Sequence, residues 1–189
     1  DYMEKYGCTS FEELRSKFEK DVYPKKYSAV VSNANNPLRT EILRILTSMG
    51  LCDSGGSVHN NVGQIGWSFE AKMDLCSRSM YGFAFENRSK IGYITEKIYE
   101  CLMAGTVPYY WGASDIIEEF NPKSYHIFDS SSLESINKSI QHMIDVLSDD
   151  SLRRTMKDVD PFAGFRSEVY IKNGKQIIKD FIMNHIESK

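Results

Sequence analysis

The sequence predicts an α/β domain built on a mostly parallel, Rossmann-like sheet flanked by helices. Three observations predict it. Short runs rich in Val, Ile, Tyr and Phe alternate with longer runs whose apolar residues recur every three or four positions. The order is strand, helix, strand, helix, the rhythm of parallel strands joined by helical crossovers. Asn, Pro and Gly stand where helices start and stop. At 189 residues, one domain is the default, and the chain can bury a good core.

Residues 1–24 are polar and charged and read as a linker or N-terminal helical segment. One helical stretch lies near residues 10–20, with Glu12, Glu13, Lys17 and Glu19 as a solvated face. Residues 25–189 form the domain. Residues 27–31 are a short buried strand. Asn36 is placed to cap the next helix, with Pro37 at its first position. That helix runs to about Met49 and stops at Gly50, with Leu38, Ile42, Leu43, Ile45 and Leu46 as its apolar stripe. Residues 54–66 are rich in Gly, Ser and Asn and read as a loop.

A short helix follows over 70–79, and a strand over 80–86. Thr95 opens a helix that ends at Gly105. Residues 106–111 are the next strand, 114–120 a short helix and 125–128 a strand. An amphipathic helix over 132–147 carries Leu133, Ile136, Ile140, Ile144 and Leu147 on one side. Helices over 149–157 and 164–186 finish the chain.

The formal net charge is −3, so no basic field argues for a nucleic-acid partner. No apolar run reaches the ~20 residues that span a bilayer, and no signal-peptide pattern opens the chain. The chain begins at Asp1 and reads as a piece excised from a longer protein. Cys8, Cys52, Cys76 and Cys101 form no CxxC pair and no Cys/His cluster; Cys76 and Cys101 read as buried thiols. Two glycosylation tripeptides, at Asn87 and Asn137, read as chance occurrences.

Candidate chemistry concentrates at one sheet edge. In a parallel sheet the loops after the strands and the helix N-termini share the edge where ligands bind. Arg39 lies in the first turn of its helix, where the dipole and free N–H groups favour an anion and a guanidinium adds a fork for phosphate. Asn87, Tyr93, Glu96 and Lys97 follow the central strand. A ring, a carboxylate, an ammonium and an amide together suit a nucleotide-sugar. Lys97 sits in a helix first turn against the dipole, a conflict that an anionic ligand would resolve. Glu86, at the end of an apolar strand, reads either as a buried carboxylate tuned for function or, the favoured reading, as a structural one holding the loop through backbone N–H groups. Tyr109, Tyr110 and Trp111 read mainly as core. His59, Asn60 and Asn61 lie in a loop able to approach a ligand. No Walker loop, GxGxxG or nucleophilic triad is present, and no Asp-x-Asp pair in a loop after a strand requires a metal.

Several blocks, in register, resemble the α1,3/4-fucosyltransferases of glycosyltransferase family 10. They are Ser32-Asn33-Ala34-Asn35-Asn36-Pro37-Leu38-Arg39, Gly55-Gly56-Ser57-Val58-His59-Asn60-Asn61-Val62-Gly63, Phe85-Glu86-Asn87, Gly92-Tyr93-Ile94-Thr95-Glu96-Lys97, Pro108-Tyr109-Tyr110-Trp111-Gly112 and Asn121-Pro122-Lys123-Ser124-Tyr125. The resemblance covers roughly residues 27–130. Where His59 stands, bacterial relatives often carry an arginine.

The resemblance implies the C-terminal, donor-binding half of a two-domain (GT-B) inverting enzyme that moves L-fucose from GDP-fucose to a GlcNAc or glucose hydroxyl, in an α1,3 linkage. It implies that Arg39 contacts the diphosphate, Tyr93 the phosphate or sugar ring, Glu96 the fucose or ribose hydroxyls, Lys97 the ribose–phosphate part, and that Asn87 orients the loop or bonds the donor. It implies no cofactor beyond that substrate. The catalytic base would be a glutamate of an N-terminal domain, which would also bring the glycan acceptor. The fragment alone is then expected to bind donor without turnover. The compartment stays open: Golgi membrane for eukaryotic members, cytoplasmic or peripheral for bacterial ones. Two alternatives stand beside this: a GT-B enzyme with another nucleotide-sugar, and a non-catalytic nucleotide- or glycan-binding module.

Overall fold

The computed structural model describes residues 2–20, 24–66 and 68–168. Strands β1 (Tyr27–Ala29), β2 (Cys52–Ser54), β3 (Tyr81–Phe85), β4 (Val107–Trp111) and β5 (His126–Ile127) form a parallel sheet in the order β2-β1-β3-β4-β5. Helices α1 (Tyr2–Lys5), α2 (Phe11–Ser16), α3 (Pro37–Ser48), α4 (Phe69–Cys76), α5 (Glu96–Met103), α6 (Ile116–Glu119), α7 (Leu133–Asp145) and α8 (Asp150–Lys157) surround it. The strand order reverses direction beside β1, so a crevice opens between the carboxyl ends of β1 and β3.

Alternation along β3 builds both layers. Tyr81, Phe83 and Phe85 face Ile42, Leu43 and Leu46 of α3 and Met143 of α7. Ala84, on the opposite face, joins Ile98, Cys101 and Leu102 of α5 and Met73 of α4. Gly82 sits on that second face because Cys101 Sγ would overlap any Cβ placed there. Three buried tyrosines tie the sheet to α7 and the turn after it. Tyr27 donates to Met143 O at 2.9 Å, Tyr81 to Val146 O at 3.2 Å and Tyr109 to Ser139 O at 3.3 Å. Two of these bonds take up carbonyls near the end of α7, where intrahelical partners run out.

Boundaries follow their signals closely. Asn36 accepts from Arg39 N at 2.9 Å and Pro37 opens α3, which ends before Gly50 in the left-handed region at φ 71°. Gly105, at φ 74°, ends α5. The expected strand over 27–31 is shorter, and β2 is a strand that the sequence does not announce. Cys52, Asp53 and Ser54 pair with Tyr27, Ser28 and Ala29 at the sheet edge. The expected helix over 164–186 lies outside the described residues from 169 onward.

Residues 2–20 run against the domain. Phe11 and Leu14 are buried, and Phe11 meets Phe162 edge-on at 4.7 Å between ring centroids. Glu12 and Glu13 are exposed as expected, whereas Glu19 pairs with Arg15 at 3.2 Å and with Lys157. Among the described residues no helix is long and apolar enough to cross a membrane, and all four cysteines are free.

His126 gives the fold an acid-sensitive point. Its ring lies 4.9 Å from the His142 ring and 5.3 Å from Tyr109, and its buried Nε2 has no partner among the described residues. Burial, with His142 beside it, pushes its pKa down to about 4. A neutral ring is therefore what the fold holds. Its contribution is complete above the unfolded pKa of about 6.5 and is lost as pH falls from there toward 4, amounting to roughly 2–3 kcal/mol. Thermal melts of His126→Phe against the parent should show a flatter loss of Tm between pH 7 and 4.5.

Candidate functional site

The candidate site is the crevice edge between β1 and β3. β3 delivers Glu86 and Asn87 there, because Glu86 N still bonds Trp111 O at 2.8 Å and the chain leaves the sheet just after. The N-terminus of α3 meets this turn from one side. Asn36 caps α3 with its Oδ1 and donates from Nδ2 to Asn87 O at 3.1 Å. Arg39, only 2% exposed, crosses beneath. Its guanidinium donates to Asn33 O, Asn87 Oδ1 and, at 3.4 Å, Phe85 O. Its buried Nε is without a partner among the described residues. Burial lowers the Arg39 pKa, with Glu86 and Tyr93 acting in the opposite sense; a guanidinium keeps its proton through any such change.

Asn87 is the hub. With Oδ1 taken by Arg39, its Nδ2 donates to Tyr93 Oη at 3.3 Å. Arg88 lies over the Tyr93 ring at 5.4 Å. A glycan on Asn87 would be attached at Nδ2, the atom that donates to Tyr93 Oη. The 88–92 turn is held from beyond the sheet: Ser89 donates to Gly112 O at 2.7 Å, and Gly92 N to Asp115 Oδ2 at 2.9 Å.

The first turn of α5 forms the other wall. Thr95 does not cap the helix with its own side chain. Glu86, fully buried, braces it from outside: Oε1 accepts from Thr95 N at 2.8 Å and Oε2 from Thr95 Oγ1 at 2.7 Å. Lys97 Nζ lies 3.1 Å from Glu86 Oε2, 2.8 Å from Thr95 Oγ1 and 3.2 Å from Glu96 Oε1. The conflict between Lys97 and the helix dipole is thus relieved by Glu86, a partner inside the chain. Glu96 is exposed; burial raises its pKa, but the Lys97 charge and bonds from its own N–H, Lys97 and Thr95 outweigh that and leave it lowered.

The structure brings all five sequence-selected residues to this edge. Tyr93, Glu96 and Lys97 remain at least partly accessible, while Arg39 is committed to protein acceptors. Asn60 and Asn61 are committed too. Asn61 holds Ser54 N and Cys52 O at 2.7 and 2.8 Å, and Asn60 bonds Gly56 O and Gly63 O at 2.8 and 3.0 Å. His59 sits at a turn with φ 48°, unusual for a residue with a side chain. The sequence marks Glu86 as a bracing carboxylate, but not its ion pair with Lys97, eleven positions on, nor the Asn36–Asn87 bond. The one available signal is a lysine in a helix first turn.

A sequence profile of Glycosyltransferase family 10 (fucosyltransferase) C-term matches residues 21–155, well over half of the chain. The chain belongs to glycosyltransferase family 10. Within that family it is similar to the alpha-(1,3)-fucosyltransferase FucT of Helicobacter pylori, at 37% identity over 98 residues, covering 52% of this chain and 20% of that protein. It is also similar to a putative fucosyltransferase-like protein of Arabidopsis thaliana, at 30% identity over 122 residues, covering 61% and 23%. Two crystal structures share the fold. An α1,3-fucosyltransferase with GDP superposes with TM-score 0.63 at 28% identity, covering 72% of this chain and 38% of that one. An α1,3-fucosyltransferase with GDP-fucose superposes with TM-score 0.67 at 25% identity, covering 85% and 45%. The family 10 chain therefore spans about a fifth of the length of the curated relatives it matches. Its sheet and site edge correspond to the C-terminal part that the family profile describes.

Proposed function

We propose that this chain is the donor-binding domain of an inverting α1,3-fucosyltransferase, holding GDP-fucose across the carboxyl ends of β1 and β3. The observation that supports this most is the convergence of Tyr93, Glu96 and Lys97 on one edge, over a floor fixed by Arg39 and Asn87. The relatives with GDP and GDP-fucose point to the same ligand. In-line transfer needs the leaving diphosphate stabilised and the acceptor hydroxyl deprotonated. Lys97 is placed to stabilise the diphosphate, because a phosphate group entering at the α5 N-terminus would meet its ammonium. Arg39 acts beneath it by fixing the α3 N-terminus and Asn87. Neither carboxylate at this edge is assigned the deprotonation, since Glu86 is bonded at both oxygens and Glu96 adjoins Lys97. The base and the glycan acceptor are assigned to an N-terminal domain of a longer protein, so this chain alone binds donor without transferring it. Binding through Lys97 and helix N–H groups needs no divalent ion.

Calorimetric titration checks this. GDP and GDP-fucose should bind and UDP should bind at least tenfold more weakly, with EDTA leaving the guanine affinities unchanged. Equal binding of UDP would assign a different nucleotide-sugar, and strict Mg²⁺ dependence would place a metal in the site.

A further inference from the structure

We propose that Glu86 is a positioning residue for donor binding, acting through Lys97; this rests on the GDP-fucose reading above. Glu86 is a carboxylate with no exposed surface, and three groups from one helix turn converge on it: Thr95 N at 2.8 Å, Thr95 Oγ1 at 2.7 Å and Lys97 Nζ at 3.1 Å. A buried carboxylate is costly to desolvate and persists when bonded this completely. The same arrangement fixes an otherwise flexible lysine. A free lysine side chain carries rotamer freedom that binding would have to remove. In this site that freedom is already lost before any ligand arrives.

The surroundings support a dedicated role. Tyr110 Oη accepts from Ala113 N at 3.0 Å, and a Cβ on Gly112 would fall 2.6 Å from Glu86 Cγ and 2.5 Å from Tyr110 Oη. Gly112 thus leaves room for the Glu86 side chain, and its carbonyl also accepts from Ser89 Oγ of the 88–92 turn. The Pro108-Tyr109-Tyr110-Trp111-Gly112 block is thereby tied to Lys97 through Glu86. Lys97 also reaches Glu96 at 3.2 Å, so its ammonium lies between a buried anchor and an exposed carboxylate, at the mouth of the crevice. A diphosphate would replace Glu96 as the outer partner while Glu86 keeps the inner one.

The test is a double-mutant cycle on GDP affinity, measured by calorimetry on this chain at low temperature, with Glu86→Gln, Lys97→Met and the double variant, each checked for folding by circular dichroism. Binding of GDP by the parent tests the functional reading on its own; a folded parent that does not bind removes that reading and this proposal together. If the parent binds, Glu86→Gln should weaken GDP roughly tenfold and should have almost no further effect once Lys97 is replaced by Met. A loss of the same size in both backgrounds would mean that Glu86 only supports the fold, and would overturn the proposal. Unchanged or tighter binding by folded Glu86→Gln would overturn it as well. Should Glu86→Gln fail to fold, Thr95→Val reads the same anchor, since it removes one of the two polar contacts to Oε2 and should weaken GDP only when Lys97 is present.

Discussion

Replacing Arg39 with Ala should lower stability by about 3–5 kcal/mol, a fall in Tm of roughly 10 °C for a domain of this size. The side chain is 2% exposed, and its loss strands three acceptors at once: Asn33 O, Phe85 O and Asn87 Oδ1. It also opens a void under the crevice. Arg39→Lys should restore less than half, because one ammonium cannot span acceptors at two strand ends as a planar fork does. Thermal or urea unfolding measures both. GDP affinity should fall in the folded fraction too, since Asn87 would lose the partner that turns its Nδ2 toward Tyr93. A neutral Arg39→Ala would mean that the α3 N-terminus and the β3 turn are held by Asn36 alone.

Lys97→Met should be the second large effect, costing about 2–4 kcal/mol of stability although it changes a partly accessible residue at the candidate edge. The reason is the partner left behind. Glu86 would stay fully buried with only Thr95 hydrogen-bonded to it and the Arg39 charge acting from further off, and a buried charge stripped of its paired cation costs more than the pair contributes. Adding Glu86→Gln to Lys97→Met should therefore recover at least half of the lost stability. Urea denaturation of the two single variants and the double one measures this. An additive double variant would show that the 3.1 Å ion pair contributes no coupling.

Much of the fold is legible because its punctuation is chemical. Asn36-Pro37 and Gly50 bracket α3, and Gly105 ends α5, each for a reason that acts locally. β2 is not legible. Cys52-Asp53-Ser54 carries no β-branched or aromatic residue, and what makes it a strand is its pairing with β1 along three positions. The reach of α2 is hidden likewise, since Phe11 and Leu14 are two apolar residues among charges until α5 and Phe162 supply their contacts.

At the site, the sequence picks out residues that the fold brings to one edge, while their contacts within the chain are less legible. A first-turn arginine reads as an anion ligand, yet burial turns Arg39 inward to carbonyls. A first-turn lysine reads as a residue awaiting phosphate, yet it already has an anion eleven positions upstream. Both assignments depend on contacts across the β3 turn, which spacing along the chain does not encode. The loop of residues 54–66 follows the same rule: it reads as a loop able to approach a ligand, and its asparagines brace their own backbone.

Whether the β1/β3 carboxyl edge binds the guanine nucleotide is best read by amide hydrogen exchange with and without saturating GDP. Exchange should slow at residues 33–39 and 86–98, with β5 and α7 unchanged. Slower exchange confined to another edge, or none in the presence of bound GDP, would place the nucleotide elsewhere and refute the assignment of this edge.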